Sequence, residues 1–412
     1  MLINHKKLNY FDLSLLSLVG LFPFSFALNP GSNVDLSIIR ILIPLLFLIW
    51  LGKSLFEKKI IIDLRMRSWL LVFIFLISIT SLFWATNPIK AWRKILFLSS
   101  ILPIYWIFFP LLKNKLNREK FLKIIFGTAL ISALLGLIQF ISQFVFGLEP
   151  LLHFQSQISP FFLGKNFSKM VLEYNSWLVN LNGKTIFRAI GLFPDPHLFS
   201  LFLNITLPIG FYLFLKKRKG FFLAGSLLIL TTSLLTFSRA GYLSLFVAFF
   251  FFWLVYLKKK DIWNILLTLV VIVFFLIPNP INQRFFSIFN FQEGSVSERL
   301  LLWKTGLEVT QNNFWTGVGI GNLSEEIQPL SDERSPIYAH NLFLDFSAEL
   351  GFFGGLAMLL IILAPILNFF KKTTNQKFLI ATIFLIILTH SMFETPIYST
   401  NLFPLILGLL AI

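Results

Sequence analysis

The feature that most constrains this chain is the recurrence of apolar runs, each long enough to cross a lipid bilayer and most of them separated by short basic loops. A spanning helix needs roughly 20 such residues. The runs at 11–28, 36–52, 69–84, 95–112, 121–146, 198–215, 220–236, 241–257, 262–278, 350–370, 378–392 and 401–412 predict about twelve transmembrane helices. Only 13% of the residues are charged and 56% are hydrophobic, with 52 Phe among them. Soluble proteins carry about 25% charged residues, so a soluble enzyme or a disordered chain is excluded. Segments of strand length with alternating polarity are missing, which excludes an outer-membrane barrel. The expected fold is an all-α polytopic membrane protein.

The net charge of +16 would suggest nucleic acid in a soluble protein. Here the position of the charges gives a different reading. With the N-terminus in the cytoplasm and Lys6 and Lys7 preceding the first span, every later inner loop is basic. Examples are Lys53 to Arg67, Lys113 to Lys123, Lys216 to Lys219, Lys258 to Lys260 and Lys371 to Lys377. Basic residues on the other side are diluted over longer loops. This is the positive-inside pattern, so no nucleic-acid partner is expected, and both termini are expected in the cytoplasm. Two long loops fall on the outer side, and long loops are usually functional. The expected organisation is helices over 1–146, an outer loop over 147–197, helices over 198–278, a large outer loop over 279–349 and helices over 350–412. Apolar residues at near-helical spacing, such as Leu300, Leu301, Trp303, Leu307 and Val309, predict short amphipathic helices within these loops.

Much familiar chemistry is missing from the sequence. There is no cysteine, no P-loop, no Gly-x-Ser-x-Gly elbow, no Asp-x-Asp and no metal-ligand spacing. The glycines Gly317, Gly319 and Gly321 lack the strand–turn–helix setting of a dinucleotide site. An enzyme of this composition is expected to need no metal or cofactor and to use a substrate that brings its own activation energy.

The informative polar residues lie at the predicted outer membrane edge. Arg188, in the segment Phe187 to His197 before the sixth span, either binds phosphate through its planar fork of donors or snorkels to headgroups. Arg239 sits in the tight turn Thr236 to Tyr242, against the charge trend. It either serves an anion or pairs with an acid such as Glu349 or Asp345. His340 and Asn341 open a helix on which Leu342, Phe346 and Glu349 share one side. An imidazole there can act as a base near neutral pH, or it can simply cap or pack.

Taken together, Arg188-Ala189-Ile190-Gly191-Leu192-Phe193, Ser238-Arg239-Ala240-Gly241, Arg299 with Trp303, Gly317 to Asn322, and His340-Asn341 followed by Glu349-Leu350-Gly351 resemble the O-antigen ligase family. That family includes WaaL ligases, Wzy-type polymerases and bacterial O-oligosaccharyltransferases. The segments span about 188–355 in the family's order. Where family members often have Pro-Asn after the first arginine motif, this chain has Pro196-His197. The resemblance implies a GT-C-like helical glycosyltransferase in the bacterial inner membrane, active on the periplasmic face. It implies a glycan donor on undecaprenyl pyrophosphate and an acceptor that is another glycan, lipid A–core or a protein. It assigns pyrophosphate binding to Arg188 and Arg239 and the catalytic base to His340. Arg299 and Arg334 become candidates for donor or acceptor contacts, and Glu349, Asn341 or Tyr338 for orienting the imidazole. The competing reading is a flippase-like transporter of lipid-linked glycans. Such a carrier should place ionisable groups at mid-membrane, where this sequence has few.

Overall fold

A computed structural model describes residues 10–31, 34–173, 176–181, 183–256, 279–287, 294–327, 337–371 and 373–412. Arg334 and the expected span 262–278 lie outside the described residues. The fold is mostly helical. Among the described residues six helices are long and apolar enough to cross a membrane: Ile39–Phe56, Met66–Phe83, Pro88–Lys113, Lys115–Phe146, Pro196–Lys217 and Leu342–Lys371. Four shorter apolar helices accompany them, Tyr10–Phe24, Gly220–Leu234, Arg239–Val255 and Asn375–Ser391. The chain is therefore a helical membrane protein.

Two expected spans take a different form. The run 11–28 is helical only through Leu21, continues as a 3₁₀ turn at Phe22–Phe24, and then becomes the strand Ala27–Gly31. Pro23 lacks the N–H that would extend the helix. The run 401–412 contains the helix Phe403–Leu410, 8 residues long. The segment still reaches far along the bundle, because Tyr398 lies beside Lys94 and the Ala411 carbonyl accepts from Arg65.

Helix starts follow local chemistry. Asn87, Asn114, Asp195 and Thr374 each accept a hydrogen bond from a first-turn amide, at the heads of Pro88–Ile101, Lys115–Phe146, Pro196–Lys217 and Asn375–Ser391. These are the residue types that satisfy the orphan donors of a helix start. Pro88 and Pro196 follow their caps directly, where a missing N–H costs nothing. The Pro196–Lys217 helix is central. It packs against Lys115–Phe146, Gly220–Leu234, Arg239–Tyr256 and Asn375–Ser391, with Phe199, Phe202, Leu203 and Ile205 fully buried.

The long loops contain the expected short helices, Leu148–Leu163, Lys165–Glu173 and Gly294–Asn312. They also hold a β-hairpin that periodicity did not announce, Leu178–Leu181 paired with Lys184–Phe187. A second hairpin pairs Ala27–Gly31 with Val34–Ser37. Asp35 of that hairpin accepts hydrogen bonds from the amides of Asn166 (3.3 Å) and Phe167 (2.7 Å). This hairpin thus holds the head of Lys165–Glu173.

Candidate functional site

The Leu342–Lys371 helix begins with Asn341 as its cap, whose side-chain oxygen accepts from the amides of Phe343 and Leu344, both at 3.2 Å. His340 precedes it in the left-handed region, with φ 53, a conformation uncommon for a residue with a Cβ. The surroundings hold it there. The neighbouring Ala339 amide donates to Asp345 Oδ1 at 2.7 Å, and the hydroxyl of Thr395 donates to the other oxygen of Asp345. Residues 339–345 are thereby tied to the segment after the Asn375–Ser391 helix.

That segment supplies Glu394. Its Oε2 lies 2.9 Å from His340 Nδ1, and its Oε1 lies 2.7 Å from Arg299 Nη2. Arg299, Glu394 and His340 form a continuous polar chain from three elements. Burial favours a neutral Glu394, but the facing His340, through its charge and its hydrogen bond, together with His197 and Arg299, holds it well below the usual carboxylate range. Burial likewise disfavours charge on His340, but the carboxylate beside it outweighs this and raises the imidazole above its ordinary value. A charged Glu394 accepts only, so in the neutral imidazole Nδ1 carries the ring proton and Nε2 presents a lone pair. The His340 side chain retains 29% exposure, and its Nε2 has no hydrogen-bond partner among the described residues.

The imidazole's hydrogen-bond partner is Glu394, and none of the three expected candidates, Glu349, Asn341 and Tyr338, hydrogen-bonds to it. Asn341 is occupied as a cap. Glu349 accepts from the Tyr398 hydroxyl at 3.1 Å. Tyr338 stacks on Tyr398, with centroids 5.3 Å apart, and touches the His340 ring edge-on at 6.3 Å. Lys94 places its ammonium 3.0 Å from the Tyr398 ring centroid and 5.0 Å from that of Tyr338. Glu349 and Lys94 therefore brace the wall beside His340.

The glycine run has a packing role. The amide of Val318 donates to the Ala348 carbonyl at 3.0 Å, and that of Gly319 to the Glu349 carbonyl at 2.9 Å. This short ladder lies where the long helix kinks at Gly351, which has φ 75. A Cβ on Gly317, itself at φ +65, would overlap the Glu349 backbone. One on Gly351 would overlap the Trp315 carbonyl. Both positions need glycine for close approach and for the left-handed backbone.

The arginines form a second cluster. Arg188 is 4% exposed and donates from Nε to the Thr236 carbonyl (2.7 Å), from Nη1 to that of Ser176 (3.0 Å) and from Nη2 to that of Phe237 (3.2 Å). It clamps the turn that presents Arg239. A guanidinium has five N–H groups, so two remain beyond these three bonds. Burial, then the charge of nearby Arg284, pulls Arg188 down to about 9, against Asp195. Arg239 Nη1 lies 3.4 Å from both the carbonyl and the hydroxyl of Ser287. The acids proposed as its partners are engaged elsewhere, Asp345 with Thr395 and Glu349 with Tyr398. Three arginines from 188, 239 and 284 thus converge, each within electrostatic reach of Arg188 or Arg188 itself.

His197 joins the two clusters. Its Nδ1 lies 3.0 Å from the hydroxyl of Ser238, next to Arg239, and its ring feels the charges of Glu394, Arg188 and Arg299. Asp195, cap of the same helix, is raised to about 6 by burial and by Glu394, against the amides of Leu198 and His197 and the charge of Arg188. The sequence reading missed Glu394, Arg284 and the role of His197. The one available signal for Glu394 was an acidic residue just beyond a span and before Thr395-Pro396.

A helical membrane protein that gathers an imidazole–carboxylate pair and converging arginines where its helices begin and end is suited to chemistry on an anionic substrate. Residues 224–359 match the family model described as O-antigen ligase, in agreement with the resemblance read from the motifs. The match includes Arg239, Arg284, Arg299, the 317–321 glycines, His340 and Glu349, while Arg188, His197 and Glu394 lie outside it. No curated protein sequence matches the chain.

Proposed function

We propose that this protein is an inverting membrane glycosyltransferase of the ligase or polymerase type. It moves a glycan from undecaprenyl pyrophosphate to an acceptor hydroxyl on the outer face of the bacterial cytoplasmic membrane. The acceptor is lipid A–core, another lipid-linked glycan or a protein side chain. The observation that carries this reading is His340, with Nδ1 fixed by Glu394 and Nε2 left unengaged. In the proposed step Nε2 takes the acceptor's O–H proton as that oxygen bonds to the anomeric carbon. The bond from that carbon to the pyrophosphate oxygen breaks on the opposite face. The electron pair leaves with undecaprenyl pyrophosphate, and Arg239, Arg188 and Arg284 stabilise the growing negative charge. Glu394 keeps the imidazole in the reactive tautomer and stabilises the imidazolium that forms, and Arg299 steadies Glu394.

A twelve-span, GT-C-like arrangement, with 279–349 as the catalytic loop, both termini inside and Arg334 contacting substrate, belongs to the same proposal. Basic inner loops and the family match support it. The test is the surface-glycan profile of a deletion strain complemented with wild type, Arg239→Ala or His340→Ala at equal membrane levels. Loss of long chains in both variants supports transfer. Long chains stalled on the carrier lipid mean ligase, and single repeats on the surface lipid mean polymerase. A normal profile from both variants would remove the proposed chemistry and favour the transporter.

A further inference from the structure

At the opposite end of the bundle lies a cavity of about 360 Å³ with basic walls. Lys94 and Lys113 belong to one membrane-length span, Pro88–Lys113. Two helices that meet at Leu102, Pro88–Ile101 and Pro103–Lys113, separate them by up to about 28 Å of helical rise, close to the ~30 Å of a bilayer's hydrocarbon core. Lys113 lines the cavity with Arg65, Arg118, Phe109, Leu112 and Asp63.

The charges there do not balance. Asp63 is the only acidic side chain in the lining, and it is already taken: Arg65 Nε lies 2.7 Å from Oδ1, Tyr105 donates to Oδ2, and Arg67 Nε is 3.7 Å from Oδ2. Arg65 and Lys113 both lie against the Phe109 ring, 4.9 and 4.5 Å from its centroid. Two like charges are thus brought to one aromatic wall. Arg118 has no acidic partner among the described residues. Its chain neighbour Glu119 instead binds Lys123, Lys216 and Lys217 at 2.9, 2.6 and 2.8 Å. Even with a main-chain carboxylate at Ile412, which also lines the cavity, counted beside Asp63, the three cations Arg65, Lys113 and Arg118 outnumber the anions on an apolar wall, which is the chemistry of a phosphate pocket. Basic pockets between spanning helices take lipid headgroups.

We propose that this cavity binds a phosphate-group anion, supplied by the headgroup of an anionic phospholipid. Arg65, Lys113 and Arg118 surround the phosphate, with the Phe109 ring as the apolar wall on which Arg65 and Lys113 lie. The site is independent of the transferase reading, since it requires only that the chain span a bilayer.

The test uses the purified full-length protein in a neutral detergent. Thermal unfolding is followed while phosphatidylglycerol, phosphatidylcholine or inorganic phosphate is titrated in. Phosphatidylglycerol is expected to stabilise wild type at lower concentration than phosphatidylcholine. The Lys113→Gln/Arg118→Gln double variant should weaken that response roughly 30-fold, from two near-surface cations lost. Lys115→Gln, on the same helix end but outside the lining, should respond as wild type does. Stabilisation by inorganic phosphate as strong as by the lipid, and lost in the same double variant, keeps the anion site and places its source in solution. Equal responses to the two lipids, or an undiminished response in the double variant, overturn the proposal.

Discussion

His340 Nδ1 and Glu394 Oε2 stand 2.9 Å apart across 54 residues of sequence, and the other Glu394 oxygen is held by Arg299 at 2.7 Å. The carboxylate thus has both oxygens occupied and contributes orientation and charge. The imidazole keeps one nitrogen available.

Replacing His340 with Ala removes the proposed base. Transfer should fall by ~10²–10⁴-fold, the range that general-base catalysis supplies, with the protein still present in the membrane. Initial rates with purified lipid-linked donor measure this, and a rate within a few-fold of wild type would eliminate His340 from the chemistry.

Glu394→Gln should separate rate from pH dependence. The base works only when neutral, and Glu394 raises the pKa of His340, so wild-type activity is lost as pH falls through that raised value. Without the carboxylate charge the acid limb should move to lower pH while the maximal rate drops. Rates between about pH 5 and 9 show both effects. An unmoved acid limb would mean that His340 is not the group titrating.

The two central arginines should fail differently. Arg239→Ala should lower transfer by ~10²–10³-fold, the typical cost of one lost charge stabiliser, while leaving the unfolding temperature close to wild type. Arg188→Ala strands the carbonyls of Thr236, Ser176 and Phe237. A buried unsatisfied group costs about 1–3 kcal/mol, so this variant should also unfold at lower temperature. Thermal unfolding beside a transfer assay distinguishes them, and equal stabilities would contradict the clamp role.

Gly317→Ala and Gly351→Ala should each destabilise the protein by about 1–3 kcal/mol, the scale of a residue forced into a sparsely populated backbone region. The added methyl also meets backbone in both cases. Denaturation midpoints in detergent report the effect. A wild-type midpoint for Gly317→Ala would show that the 318–349 ladder does not need that close approach.

Periodicity was enough to read most of the apolar helices, and the motifs were enough to single out Arg188, Arg239 and His340. These are local properties, carried by residues within a turn or two of one another. The partner of His340 was not legible, because Glu394 reaches it only through the packing of Leu342–Lys371 against Asn375–Ser391. The purpose of the glycine run was equally hidden. Its spacing resembles a phosphate loop, and only the main-chain ladder to Ala348 and Glu349 shows what the missing side chains make room for. The two β-hairpins are short and lie among apolar helical runs, so their alternation was masked by their surroundings.

The distance along the chain between His340 and Glu394 also orders the biogenesis of the site. When a ribosome has delivered the arginine cluster and the imidazole to the bilayer, the residue that fixes the imidazole's tautomer has still to be synthesised. Two further helices, Leu342–Lys371 and Asn375–Ser391, must insert and pack before it arrives. A nascent chain would therefore carry the arginine cluster and the imidazole before the carboxylate that fixes the ring, and the His340–Glu394 contact would form only when the helical hairpin closes.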